Sequence, residues 1–199
     1  MTGRAAAHEE TRERIVRATM ALHDERGVAT TSFADIAERA DVGPATVSRH
    51  FPTLGALVMA CGAHVAAEMR PLSPADAPKA FQGLTTTRAR IERLVSDLDA
   101  FYARGSLRLI AAANDRERVP ELDRFLIMVD AGIEAYITQA LAHEAPDTSL
   151  AGVLMALCGV HVWKAITRAG LAEADRQPIL VDILLGAIAS VRSHRPSAR

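Results

Sequence analysis

The sequence has only two cysteines, Cys61 and Cys158, set far apart in helical patterns, so no disulfide framework or paired-cysteine metal finger staples the fold. Aromatic residues make up 4% of the chain, too few for the stacked platforms that recognise single-stranded nucleic acid. Apolar runs long enough to cross a bilayer are missing, and no apolar signal segment opens the chain, which predicts a reduced, soluble, cytoplasmic protein with no membrane partner. The formal net charge is -1, far from the basic excess of a general polyanion binder, so any nucleic-acid site must be local and duplex DNA is the nucleic acid to consider. There is also no glycine-rich phosphate loop, nucleophile elbow or carboxylate pair in a supporting context. An enzyme is therefore not expected, and neither is a metal or other cofactor.

What the chain does contain is apolar spacing. Residues three and four apart recur from Ile15 almost to the C-terminus, strand-like alternation is hard to find, and 49% of the residues are hydrophobic, which predicts an all-α protein with a substantial core. The first helix is expected over 11–26, after a loose arm at 1–10, with Gly27 as its stop. A short helix follows over 32–40, where Ser32 and Asp35 have the spacing of a capping box. Asp41, Val42 and Gly43 make a turn, and Pro44 suits the first position of another helix reaching Phe51. A longer helix over 54–69 leads to PLSPADAP at 71–78, whose three prolines mark the boundary between a domain at 1–70 and a body at 79–199.

In the body the periodicity predicts a helix carrying Ile91 to Tyr102, a shorter one over 107–114, one over 120–143, a break at Pro146, and two final helices over 148–169 and 178–193. The last two are apolar around much of their circumference. Packing the pair against its symmetry mate would cover that surface, so a homodimer is expected.

The stretch TSFADIAERADVGPATVSRHF, 31–51, reads as helix, tight turn, helix. Ile36, Ala37, Val42, Val47 and Phe51 can lock the two helices together, leaving Gly43, Pro44, Ala45, Thr46, Ser48, Arg49 and His50 near one exposed side of the second helix. The N-terminal part of such a helix enters the major groove of duplex DNA. Arg49 can donate two hydrogen bonds to guanine or bind phosphate, and Thr46 can meet a phosphate or a thymine methyl. Ser32 can present a hydroxyl to a phosphate, or act as a simple N-cap. His50 can bind phosphate or pack against the following turn.

With these residues in order, the chain resembles the TetR family of transcriptional regulators over 12–57. The likeness rests on RIVRA near Arg14, the Gly27 turn, TSFADIAERADV, and ATVSRHF ending at Phe51. It implies a three-helix head that binds DNA and a divergent helical body that dimerises and holds an inducer: a repressor on a near-palindromic operator, released by a small molecule. The chain departs from the family pattern at three places. Asp41-Val42-Gly43 stands where Gly-Val-Ser is usual, removing an N-cap hydroxyl; Ser48 stands at a usual tyrosine and Leu54 at a usual lysine. Neither replacement can hold a phosphate as the usual side chain does, so Thr53, Arg49, His50, or Arg4, Arg12 and Arg14 near the start would have to do so instead.

An inducer would be expected among Leu94, Leu98, Phe101, Tyr102, Phe125, Met128, Met155, Cys158, His161 and Trp163, an apolar set in which Tyr102, His161 and Trp163 could orient a mainly hydrophobic molecule. Each cysteine is followed three residues later by histidine, Cys61 by His64 and Cys158 by His161, on one helical face. If the two helices met, the four groups could hold a tetrahedral metal; the plainer reading is core cysteine and packed histidine. The alternative to a DNA-binding repressor is a helical protein-interaction or metal- and redox-sensing regulator with weakened DNA binding.

Overall fold

The computed structural model describes residues 3–144 and 148–194, and over these the chain is helices joined by turns, with no strand. In chain order the helices are α1 (Gly3–Arg26), α2 (Phe33–Arg39), α3 (Pro44–His50), α4 (Leu54–Met69), α5 (Ala77–Ala80), α6 (Thr87–Asp115), α7 (Pro120–Ala140), α8 (Thr148–Leu157), α9 (Val160–Thr167) and α10 (Glu173–Ser193). They gather into two compact units. The first comprises Met1–Glu68 with Leu107–Leu126, and the second Met69–Ser106 with Ile127–Arg199. The C-terminal part of α6 and the start of α7, expected in the body, therefore cluster with the N-terminal helices.

The first unit is built on one apolar stripe of α1. Ile15, Val16, Ala18, Met20 and Leu22 are buried against Ile36, Ala37 and Ala40 of the α2 region, Val47 and Phe51 at α3, and Leu57 and Cys61 of α4. Ile15, Ile36 and Val47 are completely inaccessible. Each such aliphatic side chain stabilises the fold by about 1.5–3 kcal/mol relative to exposure. Polar contacts then set the register. The Ser32 hydroxyl accepts the Asp35 N–H at 3.3 Å while the Asp35 carboxylate accepts the Ser32 N–H at 2.9 Å, so the capping box closes with aspartate in place of the longer acid. Arg39 donates two hydrogen bonds of 2.8 Å to Glu25, tying α2 to α1. At the end of α6 the Asp115 carboxylate accepts the N–H groups of Val28 and Ala29 at 2.8 and 3.0 Å, fixing the turn after α1.

In the second unit, Leu94, Phe101, Tyr102, Ile137, Leu150 and Leu154 are among the most deeply buried side chains. Arg90 is also buried there, with its guanidinium donating to the Leu84 and Gln139 carbonyls and lying 5.5 Å from the Phe81 ring centroid. It satisfies carbonyls at the ends of two segments without a carboxylate partner among the described residues, an arrangement that keeps a buried cation hydrogen-bonded.

Four features differ from the sequence expectation. The loose arm does not form: α1 continues back to Gly3, because Ala5, Ala6 and Ala7 favour helix and His8 finds a packing partner on α3. The break expected between Tyr102 and Leu107 is absent, and α6 runs unbroken for 29 residues. Gly105 and Ser106 are buried within it, and a Cβ on Gly105 would overlap the Met69 side chain, so the glycine serves close approach rather than helix ending. Conversely, the single helix expected over 148–169 is split. Gly159 is extended (φ -66°, ψ 150°) and caps α9, and α8 and α9 meet at a 44° bend. Finally, α10 starts at Glu173 rather than Pro178, which lies inside it and leaves one bond unmade. The break expected at Pro146 lies outside the described residues.

Candidate functional site

The exposed side of α3 is produced by what its other side buries. Val47 faces the core and Phe51 closes the helix by donating its N–H to the Val47 carbonyl at 2.8 Å, so the residues between them must turn outward. Gly43, Pro44, Ala45, Ser48 and Arg49 are exposed, and Thr46 and His50 are half-buried. Gly43 is the N-cap and Pro44 the first helical residue, and no side chain caps this helix, in keeping with the missing hydroxyl. The turn before α3 depends on Asp41, whose φ of 51° is left-handed, with the Val42 N–H reaching the Ala37 carbonyl at 3.0 Å. Aspartate is one of the few side chains that tolerate that geometry.

Contact chemistry on this face is concentrated at Arg49. Its guanidinium lies 3.5 Å from the Thr46 hydroxyl oxygen and makes no ion pair among the described residues. Ser32 and Thr53 are exposed but occupied. The Ser32 hydroxyl donates to Asp35 as part of the capping box, and the Thr53 hydroxyl accepts the Ala56 N–H at 3.1 Å at the start of α4. Asp35 is held down to about 2 by the Ser32 hydroxyl, then by the Ser32 N–H and the Arg26 guanidinium. At the other end of α3, the His50 ring packs on the His8 ring at 4.2 Å, and the Arg12 guanidinium lies 5.4 Å from the centroid of Phe51. Burial first, then the neighbouring His8, Arg49 and Arg12, pushes the His50 imidazole below its usual range. The contribution of α1 at His8 is one that sequence reasoning missed. A loose arm carries no positional information, and the one signal against it was the unbroken helix-forming run before Arg12.

In the second unit a cavity of ≈ 20 Å³ is lined by Val95, Leu98 and Tyr102 of α6, Leu157 and Cys158 at the end of α8, Trp163 of α9, and Leu180 and Leu184 of α10. Four of the ten residues expected around a ligand are therefore brought together: Leu98, Tyr102, Cys158 and Trp163. Leu94 and Phe101 are fully buried core, and Met155 and Phe125 are half-buried away from the lining, Phe125 within the first unit. Met128 is 50% exposed, one residue off the buried stripe of α7. His161 is exposed because the bend at Gly159 turns the start of α9 outward. Polar groups at the wall are already satisfied. The Tyr102 hydroxyl donates to the Cys158 carbonyl at 2.7 Å, and Asp99 accepts from the Trp163 indole N–H at 2.8 Å and the Gln177 amide at 2.9 Å.

Each cysteine-histidine pair splits, thiol inward and imidazole outward. Cys61 and Cys158 are buried, and burial pushes both thiols up to about 12, which disfavours the thiolate a metal or oxidant needs. His64 and His161 are exposed, His64 lying 3.6 Å from Glu68. Among the described residues no group of three or more histidine, cysteine or acidic side chains is placed to hold a metal ion, and no single helix is long and apolar enough to cross a membrane.

The model for bacterial regulatory proteins of the tetR family matches residues 15–61, from the buried stripe of α1 to Cys61 in α4. No curated protein sequence matches the chain. Among solved structures, a mutant of HlyIIR is similar at a TM-score of 0.62 and 14% identity over 87% of this chain and 96% of its own. The multidrug binding protein EbrR, solved with imidazole, gives 0.59 and 20% over 95% and 93%. The TetR-like transcriptional regulator LfrR from Mycobacterium smegmatis, solved with proflavine, gives 0.51 and 25% over 91% and 97%. Residues 15–61, on the helices of the first unit, thus match the N-terminal region of the tetR family of bacterial regulatory proteins, and the all-α fold is shared along nearly the whole length of these solved structures.

Proposed function

We propose that the protein is a ligand-responsive transcriptional repressor that binds a near-palindromic operator as a homodimer through α3. The observation that carries this reading is the face of α3, where Ser48 and Arg49 stand exposed beside the half-buried Thr46 on a helix whose opposite side is locked by Val47 and Phe51. A helix so held offers a fixed set of donors to base edges and phosphates, which is what sequence readout in the major groove requires. Two such helices in a dimer read half-sites about one helical turn apart.

The cavity among α6, α8, α9 and α10 is the place for the inducer. At ≈ 20 Å³ it holds about one water, so a drug-sized molecule must open it. The break between α8 and α9 falls at Cys158 and Gly159, and the Tyr102 hydroxyl ties it to α6 by donating to the Cys158 carbonyl. A ligand that competes for Tyr102 favours the opened form and releases DNA only through its differential affinity for that form. The proflavine complex of LfrR and the multidrug binding of EbrR support a mainly hydrophobic, drug-sized inducer.

The test is a genome-fragment selection for duplexes retained by the purified protein at two salt concentrations, repeated with Arg49→Ala. Recovery of one palindromic site that weakens about 10- to 100-fold in the variant and binds less tightly at higher salt supports the reading. Absence of enrichment at either salt would instead favour a protein-interaction role.

A further inference from the structure

We infer that His8 and His50 form a proton-linked clamp for a backbone phosphate of duplex DNA, so that operator binding takes up a proton. This rests on the proposed role of α3 and adds a regulation that neither the family match nor the fold contains. The two imidazoles come from different helices, His8 from the N-terminal stretch of α1 and His50 from the last residue of α3, and their rings pack at 4.2 Å with a 34° tilt. The Nδ1 atom of His50 is buried and has no hydrogen-bond partner. Beside them stand Arg49 at the end of α3 and Arg12 over the Phe51 ring.

Position makes the clamp face the DNA backbone. A helix with its side chains is about 10–12 Å across and the major groove about 12 Å wide, so a helix seated there brings the groups at its flanks and end against the phosphates. His50 occupies that end of α3, and α1 delivers His8 and Arg12 to the same place. Without DNA the charged groups facing His50 are His8, Arg12 and Glu9 from α1 and its neighbour Arg49; three of the four are basic or become so on protonation. Burial and the neighbouring His8, Arg49 and Arg12 disfavour the charged His50 imidazole in the free protein, and its buried Nδ1 has no acceptor there. A phosphate reverses the balance, because an adjacent anion favours the charged imidazole. The sign follows: proton affinity is higher in the complex than in the free protein, so DNA affinity is greatest at low pH and falls as pH rises through the imidazole range.

The experiment measures binding of the full-length protein to a fluorescent duplex recovered in the selection, at fixed ionic strength from pH 8 to pH 6. Affinity is expected to rise on acidification by up to about tenfold per pH unit, the limit for one proton. His8→Gln and His50→Gln should each flatten that dependence, while His64→Gln, on the exposed side of α4, should keep it. Calorimetric titrations of the wild type in two buffers of different ionisation enthalpy count the proton directly, without reliance on any variant folding. A flat profile in the wild type, or a slope unchanged in both His8→Gln and His50→Gln, overturns the clamp while leaving the reading of α3 intact if Arg49→Ala still weakens binding. Failure of the wild type to bind any duplex at any pH overturns both.

Discussion

His23, on α1, shows how burial at one residue becomes a pH dependence of the whole fold. Desolvation lowers its imidazole to about 4, only partly opposed by Asp24 and Asp115, and its Nε2 is buried without a partner. Below about pH 6.5 the unfolded chain binds a proton that the folded one refuses. Stability should therefore fall as pH drops from 6.5 towards 4, by on the order of 2 kcal/mol. Urea midpoints at pH 7.0 and 4.5 should show that loss, and His23→Gln should remove most of it. Asp35 acts in a different window: its carboxylate is depressed to about 2, so its contribution persists above pH 3.8 and disappears only as pH falls through about 2. Asp41 tests conformation rather than charge. Its left-handed φ of 51° suits aspartate, whereas a β-branched residue clashes there, so Asp41→Val should cost about 1–2 kcal/mol by thermal unfolding.

At the scale of elements, the spacing of apolar residues predicted where helices lie better than where they stop. The start of α2 and both ends of α3 followed from local chemistry: the Ser32 box, Pro44 after Gly43, and Phe51 closing on Val47. The continuity of α6 did not, because the same glycine that weakens an isolated helix is required at 105 by the Met69 side chain lying on it. Periodicity has no means of recording such a neighbour. The split between α8 and α9 is the reverse case, where an apolar pattern runs on through a residue whose backbone is extended. Gly132 in α7 offers a direct test of close packing. A Cβ there would overlap the Leu72 carbonyl, which is backbone and has little room to yield. Gly132→Ala should therefore cost about 2 kcal/mol or more despite the better helix propensity of alanine, read as a fall in Tm with circular dichroism showing the helix content retained.

For the whole molecule, the apolar residues left outside matter more than those inside. Val153 of α8 and Ile183 of α10 are 36% and 42% exposed, within the two helical stretches whose apolar circumference led to the expectation of a dimer, and Leu171 between those stretches is 38% exposed. A self-complementary interface there would cover them. Sedimentation should then give about twice the 21.3 kDa chain mass, and Ile183→Glu should return it to the monomer and weaken binding to a two-half-site duplex far more than to a single half-site. A wild type that sediments as a monomer at micromolar concentration would remove the dimer from the proposed mechanism.

Alone, the sequence determined the all-α class, the three-helix head and the outward set on α3, because each follows from local rules: periodicity selects the buried face, and capping and turn residues mark the ends. Tertiary structure decided what depends on neighbours distant along the chain. It showed which of the ten expected ligand residues meet around the cavity, that each cysteine turns away from its histidine, and that α1 extends to bring His8 onto His50. Helical spacing specifies the direction of a side chain about its own axis, whereas a site is made where several axes cross.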